Sequence, residues 1–253
     1  MVGLAVLLGV LGAVIGSFVS VVAYRVPREE SIVGPRSKCP HCDATIAAYD
    51  NIPVVSWLVL RGRCRSCGER ISIRYPLVEL ALAGLYVASY LVFEDEPAEV
   101  ALAIAFVTML AVITLTDLER RVIPNVVLIA GAVVAIAIVA PTDSDSLPER
   151  AIAAAAAGGL LLVAALAYAG GMGMGDVKLG AVMGLYLGRA VAPALLVGFA
   201  VGALVGIGLL LRHGAAARKR AVPFGPFLAL GGAVALFVGD ELVDWYLDSF
   251  FRD

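Results

Sequence analysis

Two aspartates, Asp117 and Asp176, stand where long apolar stretches of the chain meet short polar segments. An ionisable side chain at a membrane boundary costs about 3 kcal/mol or more to bury, so it is read first as a functional group. Two neighbouring carboxylates can share one proton, and such a pair can activate water against a peptide bond. The two aspartates therefore predict hydrolytic acid–base chemistry at the edge of a membrane.

The segment before Asp176 is rich in glycine, with Gly171, Gly173 and Gly175 at alternate positions. Glycine allows another backbone to approach closely, so a substrate strand could lie beside Asp176 with help from Gly173 and Gly175. A flexible turn in which Asp176 caps the next helix is the alternative. Lys178 could assist by holding a carboxylate ionised or stabilising an oxyanion, or it could extend to the lipid headgroups.

Four cysteines form two C-x-x-C pairs in the longest polar segment, Cys39 with Cys42 and Cys64 with Cys67. Four thiolates satisfy the tetrahedral coordination that Zn²⁺ prefers, and the spacing is close to that of zinc ribbons. Disulfides are the alternative, but they are rare in a reducing cytoplasm, where this segment is expected to lie. The pattern predicts a structural zinc site with a closed coordination shell.

The elements that must position these groups are membrane helices. A mean hydropathy of +0.94, with 61% hydrophobic and 16% charged residues, exceeds what one soluble core of 253 residues can bury. Apolar runs of about 17 to 25 residues cross the roughly 30 Å of hydrocarbon in a bilayer. We count eight such runs, which predict an all-α polytopic membrane protein with about eight transmembrane helices. They are residues 3–24, 77–93, 98–115, 126–140, 151–170, 177–188, 191–211 and 225–239.

Three of these runs need comment. The fourth and sixth are short, so their ends must use flanking polar residues, or the sixth, which follows the glycines, need not cross as a plain helix. The first lacks the basic residues that begin a secretory signal, and its Gly9, Gly12 and Gly16 have the spacing of packed membrane helices. We therefore expect the first run to be a membrane helix and not a cleaved leader.

Basic residues predict the orientation. If the amino terminus lies outside, all of the 19 basic residues except Arg150, Arg189 and Arg252 fall on the cytoplasmic side, as the positive-inside rule requires. Both aspartates then lie at the cytoplasmic face. The formal net charge of −2 gives no indication of a nucleic-acid partner.

The polar segment also carries an apolar stretch, Asn51 to Leu60, which contains Trp57. This stretch could lie on the membrane surface, where tryptophan is favoured, dock against the helix bundle, or simply pack beside the cysteine pairs. The sequence does not separate these arrangements.

Short motifs along almost the whole chain occur in the order found in one known family. In the first part they are Gly12–Phe18 with Arg25-Val26-Pro27, Cys39-Pro40-His41-Cys42, Asn51-Ile52-Pro53 with Ser56-Trp57, Arg61–Cys67 and Ile73–Glu79. Further along they are Asp117 with Ile123-Pro124-Asn125, Gly173–Lys178 and Pro223-Phe224-Gly225-Pro226. With these motifs the chain resembles the type IV prepilin peptidases, which are membrane aspartic proteases of the GxGD kind. One departure is Ser20, which stands where many relatives have asparagine.

The resemblance implies an enzyme of a prokaryotic cell membrane that cuts the basic leader from prepilins or pseudopilins after a glycine, at the cytoplasmic face. It implies that Asp117 and Asp176 are the catalytic pair and that Cys39, Cys42, Cys64 and Cys67 bind zinc. Many members also methylate the new amino terminus with S-adenosylmethionine. This chain has the cysteine loop that peptidase-only members generally lack, so methyl transfer is expected too. No residues are assigned to S-adenosylmethionine, because no glycine-rich nucleotide-binding fingerprint is present.

The expected organisation is a first membrane helix (1–24), a cytoplasmic zinc-ribbon-like loop (25–75) and a polytopic aspartic peptidase region (76–253). The alternatives are a peptidase without methyltransferase activity, a non-enzymatic zinc-ribbon membrane adaptor, and a transporter or channel. A transporter would show paired halves with matching broken helices, and only one glycine-interrupted segment is present. The expected partners are pilin-like substrates and membrane lipid, and the sequence does not indicate an oligomeric state.

Overall fold

The computed structural model describes residues 2–167, 172–214 and 222–250, and regular structure in these ranges is helical apart from two isolated β-bridges. Gly171 lies outside the described residues. The helices are α1 (Val2–Arg25), α2 (Val55–Val59), α3 (Arg74–Val92), α4 (Pro97–Arg120), α5 (Asn125–Thr142), α6 (Leu147–Ala167), α7 (Met174–Leu187), α8 (Val191–His213) and α9 (Gly225–Phe250). The chain is therefore an all-α, multi-pass membrane protein, as predicted.

Within the described residues, seven helical runs are long and apolar enough to cross a membrane. The sequence predicted eight because it separated α7 from α8, which form one run, Met174–His213, joined by a 3₁₀ turn over Gly188–Ala190. Helix α7 has 14 residues, so it is about 21 Å long at 1.5 Å per residue. As the sequence indicated, the sixth run is too short to cross alone. Residues 168–170 of the fifth predicted span lie outside the described ranges.

The chain forms two compact units, Met1–Asp95 and Glu96–Asp253. In the first unit, α1 and α3 pack antiparallel through glycines of α1. A Cβ atom on Gly16 would lie 2.7 Å from the Cα atom of Glu79, and one on Gly12 would lie 2.6 Å from the carbonyl oxygen of Leu82. Any side chain at these positions would push the helices apart, so the predicted packing role of the glycines is confirmed.

In the second unit, α6 pairs with α7 and α8 pairs with α9. Helix α9 packs on α4, and α7 packs on α5, which in turn packs on α4. Glycine again permits the contact, since a Cβ atom on Gly184 of α7 would lie 2.5 Å from the Cα atom of Ala154 on α6. The core contains fully buried side chains from α4, α6, α7 and α9. The largest of them are Phe106, Ile113, Leu161, Leu179, Met183 and Leu228.

The carboxyl end of α7 is capped by a side chain from α6. The guanidinium group of Arg150 donates to the backbone carbonyl oxygens of Tyr186 at 2.6 Å and Leu185 at 3.3 Å, and to Oε1 of Glu99 at 3.3 Å. The last carbonyl groups of a helix have no partner within the helix. Arg150 supplies those partners, which allows α7 to end after 14 residues inside the helical bundle.

Candidate functional site

Asp117 lies in the last turn of α4 and is buried, with 6% of its surface exposed. The helix ends because Arg121 adopts a left-handed conformation (φ 55°), and the N–H of Arg121 donates to the carbonyl oxygen of Asp117 at 2.9 Å. The side chain of Asp117 points to the start of α9, where the N–H of Gly225 donates to Oδ2 at 2.9 Å. Asp117 is thus held through both its backbone and its side chain.

Asp176 lies in the first turn of α7 and is also buried, with 8% of its surface exposed. Its Oδ2 atom accepts a hydrogen bond from the N–H of Gly173 at 3.1 Å. This is the helix-capping arrangement that the sequence left as an alternative. Capping occupies only one oxygen, and Oδ1 of Asp176 is buried without a hydrogen-bond partner among the described residues. A buried carboxylate oxygen of this kind suits a bond to a protonated group or to a substrate.

The two aspartates lie at helix ends that share one neighbour, Ile123, in the turn after α4. The side chain of Ile123 is next to Gly175, which precedes Asp176, and next to Gly225, which bonds Asp117. A Cβ atom on Gly175 would lie 2.9 Å from Cβ of Ile123, and one on Gly225 would lie 3.3 Å from its Cδ1 atom. The ends of α4, α7 and α9 therefore meet around one side chain, and each aspartate sits at such a helix end.

The three residues suggested as assistants have different positions. Lys178 donates from Nζ to Oδ1 of Asn125 at 2.9 Å, so its hydrogen bond goes to the start of α5 and not to a carboxylate. The N–H of Gly173 donates to the carboxylate of Asp176, which caps the start of α7, and Gly175 packs against Ile123. The geometry gives the glycines structural contacts next to Asp176, and an assisting role in chemistry stays a prediction.

Sequence reasoning gave no role to Gly225. Its contact with Asp117 spans 108 residues of sequence, so no local pattern reports it. The one available signal is a glycine between Pro223 and Pro226 at the start of an apolar run. Proline is favoured in the first turn of a helix, and glycine allows close approach, so the motif marks a helix start with room beside it.

The four cysteines of the first unit come together. Their Sγ atoms all lie within 4.8 Å of one another, and the Sγ atoms of Cys39 and Cys67 are 3.8 Å apart. A tetrahedral ion with metal–sulfur bonds of about 2.3 Å places its sulfur ligands about 3.8 Å apart. The cluster therefore fits a metal ion held by four thiolates.

The two cysteine pairs sit on turns of the same design. Antiparallel bridges join Lys38 to Thr45 and Arg63 to Arg70. In each turn the N–H of the first cysteine donates to a carbonyl oxygen five residues further on, that of Ala44 for Cys39 and that of Glu69 for Cys64. Residues at equivalent positions, Asp43 and Gly68, have positive φ angles of 54° and 73°. Such paired knuckles are the usual scaffold of a structural tetrathiolate site.

Hydrogen bonding makes the thiols unequal. The backbone N–H groups of Cys67 and Ser66 lower the pKa of the Cys64 thiol to about 7. At Cys67 a bond from the Glu69 backbone lowers the pKa, but desolvation and the neighbouring thiols raise it to about 12. One thiolate is thus readily formed near neutral pH, which favours capture of a metal ion.

The loop packs on itself beside the second knuckle. The indole nitrogen of Trp57 donates to the carbonyl oxygen of Ile71 at 3.1 Å, and the indole ring covers Gly62. A bidentate ion pair between Arg65 and Asp50 joins the second knuckle to the preceding turn and lowers the pKa of Asp50. In the Asn51 to Leu60 stretch, Trp57 packs beside the second cysteine pair and the N–H of Val54 bonds Glu79 of α3. Contact of this stretch with the membrane surface stays a prediction.

Two family models match consecutive regions of the chain. Residues 10–93 match the model of the bacterial peptidase A24 N-terminal domain, and residues 104–209 match that of the type IV leader peptidase family. A prepilin leader peptidase/N-methyltransferase of Bacillus subtilis is 36% identical over 246 residues, which cover 95% of this chain and 97% of the relative. Relatives of the same name occur in Aeromonas hydrophila (37% identical, 93% and 91% covered) and Legionella pneumophila (32% identical, 94% and 93% covered). No solved structure matches the chain.

Proposed function

Because the chain belongs to the type IV leader peptidase family, we propose that it is a membrane aspartic endopeptidase and N-methyltransferase of prepilins or pseudopilins. The enzyme cuts the basic leader after a glycine and methylates the new amino terminus. The proposal follows from the name shared by the relatives, which cover nearly the whole chain. The observation that carries the peptidase half is the buried pair Asp117 and Asp176, each with one carboxylate oxygen fixed by a backbone N–H.

In the proposed hydrolysis, the ionised aspartate removes a proton from water, and the water oxygen attacks the carbonyl carbon of the scissile bond. The protonated aspartate donates its proton to the carbonyl oxygen, which gives a tetrahedral intermediate. Collapse of the intermediate breaks the C–N bond as the first aspartate gives the nitrogen the proton it took from water, while the second aspartate recovers a proton from a hydroxyl group of the intermediate. The two acids therefore exchange protonation states in the first step and return to their starting states in the second, and they should titrate as a pair.

We assign zinc to the Cys39, Cys42, Cys64 and Cys67 cluster, because four thiolates at tetrahedral spacing are the usual ligands of structural Zn²⁺. Four protein ligands close the coordination shell, so the ion would stabilise the loop and take no part in hydrolysis. Methyl transfer would use S-adenosylmethionine, which supplies an electrophilic methyl group to the amine. Its binding residues stay unassigned.

We place the amino terminus outside and the aspartates at the cytoplasmic face. The distribution of lysine and arginine supports this orientation. Two of the three exceptions have local partners, since Arg150 caps α7 and Arg189 pairs with Asp240 and Asp244. A basic leader on the cytoplasmic side would also be attracted by the acidic pair.

The test is cleavage of a peptide that contains a basic leader, a glycine and an apolar helix, by the purified protein in detergent. Asp117→Asn and Asp176→Asn should each abolish cleavage, whereas Asp143→Asn, an aspartate in the loop after α5, should not. Cleavage that survives either catalytic substitution would refute the two-aspartate mechanism. A wild-type protein that binds zinc and cuts none of these peptides would favour the adaptor. Transfer of label from S-adenosylmethionine to the cut peptide separates the bifunctional enzyme from a peptidase alone.

A further inference from the structure

We infer that the backbone N–H of Gly225 positions Asp117 for catalysis, so that the turn at the start of α9 is a third part of the aspartate site. The inference rests on the proposed peptidase function. It concerns a residue that contributes no side chain and acts only through Asp117. Its basis is the hydrogen bond of 2.9 Å between Gly225 N–H and Oδ2 of Asp117, which is buried within the second unit.

The start of α9 has one main-chain donor for this purpose. The first N–H groups of a helix have no partners within the helix. Pro226 has no N–H, and the N–H groups of Phe227 and Leu228 both donate to the carbonyl oxygen of Phe224, at 3.0 and 3.2 Å. The N–H of Gly225 is thereby left to bond outside the helix, and it bonds to Asp117.

Glycine is required here because the carboxylate occupies the space of a side chain. A Cβ atom on Gly225 would lie 2.7 Å from Oδ2 and 3.2 Å from Cγ of Asp117, so even alanine would displace the carboxylate. The turn itself is anchored by Phe224, whose ring lies 5.3 Å from that of Phe199 and 6.1 Å from that of Phe227. The clash would therefore be relieved by movement of the Asp117 side chain.

The hydrogen bond determines which oxygen of Asp117 can react. Because Oδ2 accepts the N–H of Gly225, the reacting oxygen is Oδ1, in a fixed orientation. The amide and the positive end of the α9 dipole also favour the ionised carboxylate. An anion whose free oxygen is held in one direction is what a general base for water requires.

The first experiment compares peptide cleavage by the wild type, Gly225→Ala and Gly206→Ala. Gly206 lies on α8, where a Cβ atom would meet nothing within 4 Å, so it controls for the glycine-to-alanine change itself. Loss of a positioned donor typically lowers kcat about 100-fold or more, and we expect a fall in kcat of that size for Gly225→Ala. KM should stay nearly unchanged, because leader capture does not involve Gly225. Methyl transfer to a peptide that is already cut should persist. Wild-type kcat in Gly225→Ala would overturn the inference, and a wild-type protein without cleavage would overturn the proposed function and the inference together.

A double-mutant cycle on thermal stability tests the contact even if Gly225→Ala folds poorly. When Asp117 is present, the methyl group introduced by Gly225→Ala clashes with its carboxylate, so this substitution should lower Tm. In an Asp117→Ala background the carboxylate is gone, and the same substitution should lower Tm by less than half as much. Equal shifts in the two backgrounds would show that Gly225 and Asp117 are not coupled, and would overturn the inference.

Discussion

Lys178 on α7 donates a hydrogen bond to the side chain of Asn125, the first residue of α5, at 2.9 Å. The pair joins the starts of the two helices beside the aspartates. A hydrogen bond of this kind contributes about 1 kcal/mol, and 1.4 kcal/mol corresponds to about tenfold in rate. Lys178→Met and Asn125→Ala should therefore each reduce peptide cleavage less than about tenfold, and the double variant should be no worse than either.

A direct role for Lys178 at the scissile bond gives a different pattern. Lys178→Met would then lose about 100-fold in kcat, while Asn125→Ala would stay close to wild type. Steady-state kinetics of the three variants separate the two roles. The structure leads us to expect the positioning pattern, because the amine already bonds to Asn125 and not to Asp117 or Asp176.

The cap on α7 gives a prediction about stability. Arg150 has a side chain that is 13% exposed, and it bonds the carbonyl oxygens of Leu185 and Tyr186. Arg150→Gln leaves buried acceptors without charged donors, which should lower the free energy of unfolding by about 2 to 3 kcal/mol. The matched control is Arg189→Gln, since Arg189 is 43% exposed and an exposed ion pair contributes about 0 to 1 kcal/mol.

Thermal denaturation in detergent measures both arginine variants. We expect a clear fall in Tm for Arg150→Gln and little change for Arg189→Gln. Equal effects would mean that the carbonyl groups at the end of α7 do not depend on Arg150.

The sequence predicted the features that depend on local pattern. Apolar runs of sufficient length gave the positions of the helices, and the spacing of the cysteines gave the cluster, because two knuckles of one design bring four thiols together. It could not predict where α7 ends or what holds Asp117. Those features depend on Arg150 reaching residues 35 and 36 positions away and on Gly225 reaching a residue 108 positions away. The contacts exist only once the helices have packed.

The cysteine cluster predicts the metal content. We expect one zinc ion per chain, and substitution with Co²⁺ should give the absorption of a tetrahedral tetrathiolate site. Cys39→Ser removes the most buried ligand, so zinc content and the thermal stability of the first unit should both fall. A chain with full stability and no bound metal, or with a Cys39–Cys42 or Cys64–Cys67 disulfide after purification under reducing conditions, would contradict the assignment.

The unequal thiols predict the order of alkylation after the metal is removed. A thiol with a pKa of about 7 is half ionised at pH 7, whereas one with a pKa of about 12 stays protonated. The thiolate is the nucleophile. Iodoacetamide at pH 7 should therefore modify Cys64 first and Cys67 much later, as measured by peptide mass spectrometry. Raising the pH to 9 should speed the alkylation of Cys64 by no more than about twofold, because half of this thiol is already ionised at pH 7. Equal labelling of Cys64 and Cys67 at pH 7 would contradict the inequality.

Glu79 and Val54 give the last prediction. Val54 has φ 60° and ψ −51°, and its N–H donates to Oε2 of Glu79, which is 6% exposed, at 2.7 Å. A β-branched residue in this region stores about 1 to 3 kcal/mol of strain, so we interpret the bond to Glu79 as what holds the turn. Glycine adopts this conformation without strain. Glu79→Ala should therefore lower Tm, and expose the turn to limited proteolysis, more in the wild-type background than in the Val54→Gly background. If the two substitutions had additive effects on Tm, the turn would not depend on the carboxylate, and Glu79 would contribute through its packing against Gly16 alone.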